Sequence, residues 1–97
     1  MRITDPERQA ILRTAKEIYG DNARVTLFGS RVDDRLKGGD IDLYVETEGP
    51  ATLKDKLKFL VELENKIGEQ KIDLVVRTPD SPQKEIYDVA KKTGQVL

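Results

Sequence analysis

Two aspartates alternate with apolar residues in the middle of the chain, where Asp40 and Asp42 are interleaved with Ile41, Leu43 and Val45. Because successive side chains of a β-strand point to opposite faces of a sheet, this alternation predicts a strand with one face in a core. Both carboxylates then project from the other face, about 6–7 Å apart. Two like charges at that spacing are unfavourable unless a positive group lies between them, and a divalent cation is the simplest such group.

The residue types that are missing restrict the chemistry of such a site, because the chain contains no cysteine and no histidine. A metal site would therefore have only oxygen ligands, which favours Mg²⁺, Mn²⁺ or Ca²⁺ over zinc. The lack of histidine also removes the commonest general base, so catalysis would depend on carboxylates and a metal ion. The net charge of −1 gives no reason to expect a nucleic acid as the partner.

The length of 97 residues leaves room for one small domain, and we expect residues 1–97 to form it. Charged residues make up 36% of the chain, which is typical of a globule with a heavily solvated surface. No apolar run is long enough to span a membrane, and no secretory signal is visible. We therefore expect a cytoplasmic protein.

Hydrophobic periodicity and turn residues predict the order α-β-β-α-β-α. The predicted helices begin at Asp5-Pro6, Thr52 and Ser81-Pro82 and end near Gly20, Gly68 and Gly94, which leaves a tail of three residues. The predicted strands cover residues 25–28, a stretch that begins at Asp40, and residues 71–76. A helix between the last two strands favours a parallel pair there, while the first two can pair antiparallel. We expect an α/β (α+β) fold, a small three-stranded mixed sheet with helices packed on one face.

A third carboxylate, Asp73, lies between the apolar residues Ile72 and Leu74 of the last predicted strand. If the apolar side chains of both strands face the same helices, Asp73 joins the two earlier aspartates on the opposite face. The first strand ends at Gly29-Ser30. Glycine lets a backbone approach an anion closely, and serine can donate hydrogen bonds from its N–H and its hydroxyl. Three carboxylates beside a Gly-Ser turn indicate a site for metal ions and phosphate.

This pattern, Gly29-Ser30, nine residues, Asp40-Ile41-Asp42-Leu43 and the later Asp73, resembles the DNA polymerase β-like nucleotidyltransferase superfamily. More narrowly, the chain is similar to the minimal nucleotidyltransferases, small proteins that are often paired with HEPN-domain toxins. The resemblance extends from the first helix through the third strand. It implies the polymerase β palm-like nucleotidyltransferase fold.

The resemblance also implies roles for the site residues. Asp40, Asp42 and Asp73 would hold two Mg²⁺ or Mn²⁺ ions that also bind a nucleoside triphosphate, and Asp73 would help to activate the acceptor hydroxyl. Gly29 and Ser30 would bind the triphosphate.

The segment after Ser30 departs from the family pattern. Many members carry ten residues between the serine and the first aspartate, with Ala-Arg-Gly where this chain has Val32-Asp33-Asp34, and Gly39 stands where serine is frequent. These departures bear on the rate and the nucleotide preference and leave metal binding intact. Arg31 is the best candidate for neutralising phosphate charge, ahead of Arg35 and Lys37.

The function implied by the resemblance is transfer of NMP, by default AMP from ATP, to a hydroxyl group on a partner protein. We expect the partner to be a HEPN-domain protein and the chain to act as the antitoxin of a toxin-antitoxin pair. One alternative is a catalytically weak or inactive binding module that neutralises its partner by contact. A bare Ca²⁺ or Mg²⁺ binding domain is a further interpretation, which leaves the Gly-Ser turn without a role. Ordinary solvent-facing strand aspartates are another, but aspartate is depleted in strands and two at this spacing are unfavourable without a counter-ion.

Overall fold

The computed structural model describes residues 3–29 and 40–97. The helices in this part of the chain are α1 (Asp5–Tyr19), α2 (Leu53–Ile67) and α3 (Glu85–Thr93). The strands are β1 (Arg24–Phe28), β2 (Ile41–Glu46), β3 (Ile72–Arg77) and β4 (Gln95–Val96). None of the described helices is long and apolar enough to cross a membrane.

The two long helices begin at reciprocal hydrogen bonds between a threonine and an acidic residue three positions later. The cap of α1 is Thr4, one residue before the predicted start, and its Oγ1 accepts from the Glu7 N–H at 3.2 Å. The Thr4 N–H donates in turn to Glu7 Oε1 at 2.9 Å. The start of α2 predicted at Thr52 is confirmed, and Thr52 and Asp55 make the same pair of bonds there, at 3.1 and 3.0 Å. Because each pair satisfies two backbone donors, both starts are well defined.

The four strands form one mixed sheet in the order β3-β2-β1-β4. The predicted parallel pair is confirmed between β2 and β3, and β1 pairs with β2 antiparallel. The expectation of three strands was wrong, since the predicted tail forms β4 and pairs antiparallel with β1. The Leu97 N–H donates to Val25 O at 2.9 Å, and Arg8 Nη2 donates to Leu97 O at 2.6 Å. A strand of two residues is too short to show an alternation in the sequence.

One face of the sheet, the core face, carries the side chains of Ile41, Leu43 and Val45 and packs against α1 and α2. The buried residues of the core between this face and the two helices are Ile11, Ala15, Val25, Leu27, Ile41, Leu43, Val45, Phe59, Leu63 and Leu74. The alternation of the second strand therefore predicted the buried side of that strand correctly.

The opposite face, which we call the acidic face because it carries Asp40, Asp42 and Asp73, is partly covered by α3. Tyr44 of β2 is fully buried there and stacks on Tyr87 of α3 with ring centroids 5.5 Å apart. The expectation that all helices lie on one face was therefore wrong. A tyrosine on the polar side of an alternating strand gives no sign that a helix will bury it.

The start of α3 also differs from the prediction. The helix begins at Glu85, and its cap Lys84 makes no side-chain hydrogen bond to the helix. Ser81, predicted to open the helix, instead closes a turn with Thr78. Its hydroxyl accepts from the Thr78 N–H at 3.0 Å, and its own N–H donates to Thr78 O at 3.1 Å. The serine and proline pattern of a helix start is shared with turns, which explains the displaced prediction.

Candidate active site

The register between β2 and β3 brings two of the three predicted carboxylates side by side. Asp42 and Asp73 are Cα partners in the parallel pair, so their side chains project from the same face. Asp40 lies two residues before Asp42 and continues the same alternation. Asp73 is exposed, whereas the other two carboxylates are partly buried. The shared face expected for the three aspartates is therefore confirmed.

A lysine that the sequence reasoning missed completes this group. The Ile41 N–H donates to Lys71 O at 3.0 Å, which aligns Lys71 with Asp40 directly before the two strands. Lys71 Nζ lies 3.4 Å from Asp40 Oδ2. The acidic face thus carries two neighbouring cross-strand pairs: the ion pair of Asp40 with Lys71 and the two carboxylates of Asp42 and Asp73. The signal for Lys71 was its position two residues before Asp73, which assigns both side chains to one face.

Among the three aspartates, Asp42 has a carboxyl group whose pKa is clearly shifted by its surroundings. The pKa of this carboxyl is raised above its ordinary value of 3.8, first by partial removal from water, and then by the charges of Asp73 and Asp40. A hydrogen bond with the Asp73 side chain acts in the same direction. A proton shared by two adjacent carboxyls relieves their repulsion, and a cation bound between them would do the same.

Gly29 lies against the same carboxylate. It follows Phe28, the Cα partner of Asp42, and has a φ of 75°, in the region that favours glycine. A Cβ on Gly29 would overlap Oδ2 of Asp42. Two features therefore require glycine at this position: the positive φ of its backbone and the lack of space for a Cβ beside Asp42. Its predicted contact with a triphosphate stays a prediction.

The far side of the site is an apolar wall formed with α3. Its buried members are Phe28, Tyr44, Tyr87 and Ala90. Tyr44 is completely buried in this wall, so it packs and does not face a ligand. The wall covers the part of the acidic face around Tyr44, between the aspartates and Glu46 of the same strand.

The remaining predicted phosphate ligands lie outside the described residues. They are Ser30 and Arg31, together with the weaker candidates Arg35 and Lys37 and the departures Val32-Asp33-Asp34 and Gly39. Their roles stay predictions.

The donors of the acidic face fit a hard divalent cation in chemistry. Asp40, Asp42 and Asp73 supply only carboxylate oxygens, the ligand type that Mg²⁺ and Mn²⁺ prefer, and the charges of Asp73 and Asp40 both act on Asp42. In residues 3–29 and 40–97, no three acidic side chains already converge closely enough to hold an ion. The side chains would therefore have to adjust around a cation.

A cavity of about 210 Å³ lies away from this site, on the helical layer. Pro6, Gln9, Ala10, Arg13 and Lys66 line it. None of the three aspartates is among these lining residues.

Comparison with known proteins gives one result that bears on this arrangement. No curated protein sequence matches the chain. A family model described as the nucleotidyltransferase domain matches residues 8–96, from within α1 to the end of β4. The match includes every strand of the sheet and all three aspartates of the acidic face. With nearly the whole chain covered, the protein belongs to the nucleotidyltransferase domain family.

Proposed function

We propose that the protein transfers a nucleoside monophosphate, AMP from ATP, to a hydroxyl group of a partner protein in a reaction that depends on Mg²⁺ or Mn²⁺. The main support is the register that sets Asp42 beside Asp73, with Asp40 on the same face, in a member of the nucleotidyltransferase domain family. Carboxylates grouped in this way on an accessible surface suit the binding of cations together with a triphosphate.

The three aspartates would hold two divalent ions. When bound, such ions neutralise triphosphate charge and lower the pKa of an acceptor hydroxyl. Asp42 is partly buried between Asp73 and the turn at Gly29, so it is the carboxylate best placed to belong to both ion sites. Asp73 is exposed, and an acceptor arriving from solvent can reach it directly.

The proposed reaction forms one bond and breaks one bond at the α-phosphorus. The acceptor oxygen bonds to this phosphorus, and the bond to the bridging oxygen breaks, so that pyrophosphate leaves. The acceptor proton passes to an acidic side chain, for which the exposed Asp73 is the candidate, and then to water. Catalysis would consist mostly of positioning and charge neutralisation, which requires no histidine.

The acceptor in this proposal is a HEPN-domain partner, and the chain acts as the antitoxin of the pair. The support is the resemblance to the minimal nucleotidyltransferases.

Incubation with labelled ATP, Mg²⁺ and the HEPN-domain partner tests the proposal. We expect label on the partner with the wild type, and a labelling rate lower by more than about 100-fold with Asp42→Ala. Loss of a residue that only orients a metal ligand already lowers activity by about 10- to 100-fold, and Asp42 would itself be a ligand. Glu64→Gln, a charge change on α2 away from the acidic face, serves as the control and should retain the rate. Label that appears equally with Asp42→Ala, or on no protein at all, would refute the proposal.

The alternative function, neutralisation by contact, is favoured by an apolar stripe on α2. Leu53, Leu57 and Val61 follow one another at four-residue spacing and are 71%, 56% and 59% exposed. Such a stripe suits a protein contact. An Asp40→Ala/Asp42→Ala double variant separates the two functions. If it still neutralises the partner, contact is sufficient; if neutralisation is lost while the complex still forms, the chemistry is required.

A further inference from the structure

Lys71 is the cation that the fold places among the carboxylates of the acidic face. Its Nζ contacts Asp40 Oδ2 at 3.4 Å, and the lysine side chain is 76% exposed. The alternation of β3 puts Lys71 on the same face as Asp73, two residues later. The ammonium group therefore lies at the open edge of the site and is free to change partner.

Stability of the sheet gives little reason for this ion pair. Exposed ion pairs typically contribute less than about 1 kcal/mol. The bond that aligns the two strands here runs between backbone groups, from the Ile41 N–H to Lys71 O at 3.0 Å, and does not need the lysine side chain. The charge of Lys71 is therefore available for another purpose.

The other cations that the register places on this face lie at its opposite end. Arg24 and Arg77 are both Cα partners of Glu46, and Lys91 Nζ of α3 lies 3.4 Å from the Glu46 carboxylate. Arg77 also lies over the Tyr87 ring, 5.2 Å from its centroid. In the described part of the chain, Lys71 is thus the cation that the strands bring to the acidic end.

Binding of a divalent cation by Asp40 would displace the Lys71 ammonium group from this carboxylate. A cation and the ammonium repel each other when both are close to one carboxylate. A displaced Lys71 keeps its charge, and the nearest new source of negative charge would be the triphosphate held by the same cations. A lysine ammonium, a compact charge with three donors on a flexible stem, suits a phosphate oxygen.

From these observations we propose that Lys71 is a nucleotide-binding residue that pairs with Asp40 in the free protein and moves to a phosphate oxygen of the triphosphate in the loaded protein. The inference rests on the proposed function and adds a ligand to it. Removal of the lysine charge should therefore change the affinities for the cation and for the nucleotide in opposite directions. Binding of a divalent cation alone becomes tighter, because a competitor for Asp40 is lost, while binding of the nucleotide becomes weaker.

Two titrations on Lys71→Gln test these signs, with Mn²⁺ alone and with ATP in saturating Mg²⁺. We expect Mn²⁺ to bind about fivefold more tightly, as expected for removal of a unit charge about 8 Å from a divalent cation in water. We expect ATP to bind about tenfold more weakly, as for loss of a charge-assisted hydrogen bond. Lys71→Arg should restore most of the ATP affinity.

Lys58→Gln is the matched control, because Lys58 is an exposed lysine of α2, which packs on the core face. It makes the same change in net charge and should leave both affinities within about twofold of the wild type. Circular dichroism of all variants checks that they are folded.

The outcomes separate the inference from the function beneath it. A wild type that binds neither Mn²⁺ nor ATP overturns the proposed function and the inference with it. A wild type that binds both, with Lys71→Gln equal to Lys58→Gln in both titrations, overturns the inference alone. Tighter Mn²⁺ binding with unchanged ATP binding also overturns it, since Lys71 is then only a counter-ion of Asp40.

Discussion

At the scale of single residues, the negative charge of Asp42 opposes folding. Burial, Asp73 and Asp40 all raise the pKa of this carboxyl, so the folded chain holds the proton more tightly than the unfolded chain. The stabilising effect of that proton is complete below the ordinary value of 3.8 and is lost as the pH rises through the folded pKa. The same charge that supports cation binding therefore lowers stability at neutral pH.

We accordingly expect Asp42→Asn to have a higher free energy of unfolding than the wild type at neutral pH, in metal-free buffer. The gain should shrink as the pH falls toward 3.8 and vanish below it, because the wild-type carboxyl is then neutral as well. Urea unfolding at a series of pH values measures this. A gain that persists in acid, or no gain at neutral pH, would contradict the pKa direction.

Gly29 provides a second prediction at this scale. Alanine at this position would meet both an unfavourable φ of 75° and the Asp42 carboxylate. Gly68→Ala is the matched control, since Gly68 has a similar φ of 87° and open space around it. We expect the control to cost about 1–3 kcal/mol, the general cost of a backbone conformation that residues other than glycine rarely adopt. Gly29→Ala should cost about 1–3 kcal/mol more, from overpacking. Equal losses in urea unfolding would show that Gly29 does not press on Asp42.

At the scale of elements, α3 and β4 depend on a close contact with β1. Gly94, between the two elements, has an ordinary φ of −91°, yet a Cβ there would lie 2.5 Å from Thr26 Cγ2 and 2.8 Å from Leu27 O. We expect Gly94→Ala to lower the free energy of unfolding by about 1–3 kcal/mol and to speed amide exchange at Leu97, whose N–H is bonded to β1. Gly49→Ala, with no neighbour in reach, should leave both unchanged. Unaltered amide exchange at Leu97 in Gly94→Ala would show that β4 keeps its pairing with β1 in spite of the added methyl group.

The same elements show what the sequence could and could not predict. Strong local signals succeeded: the cap at Thr52 and Asp55, and the alternation from Asp40 to Val45, each fix a structure within a few residues. Signals shared by several structures failed. Ser81-Pro82 suits a turn as well as a helix start, and two strand residues at the end of the chain carry no periodicity. The side of the sheet that α3 covers depends on tertiary packing, in which Tyr44 meets Tyr87.

The candidate site was predictable for a related reason. Once the parallel pairing of β2 and β3 is assumed, alternation alone places Asp73 with Asp40 and Asp42. Lys71 obeys the same rule and was overlooked because, as the first residue of the predicted strand, it looked like an ordinary charged end. The approach of Gly29 to Asp42 depends on the register of β1 with β2, which the sequence pattern leaves open.

At the scale of the whole molecule, the two faces of the sheet have separate tasks. The core face packs against α1 and α2, and the acidic face is divided between a wall under α3 and the open end with the aspartates. The strands hold the carboxylates on a rigid layer whose stability comes mostly from the other side. Charge at the site can therefore be unfavourable locally without unfolding the chain.

Binding of divalent cations together with a nucleotide at the aspartate end of the acidic face can be measured by the broadening of amide NMR signals that paramagnetic Mn²⁺ causes in the presence of ATP. We expect the signals of Gly29, Asp42 and Asp73 to broaden at the lowest Mn²⁺ concentrations, while that of Glu64 of α2 remains sharp. Asp42→Asn should abolish this selectivity. Broadening that begins on α2, or that spreads evenly over the acidic residues of the surface, would refute cation and nucleotide binding at this end of the sheet.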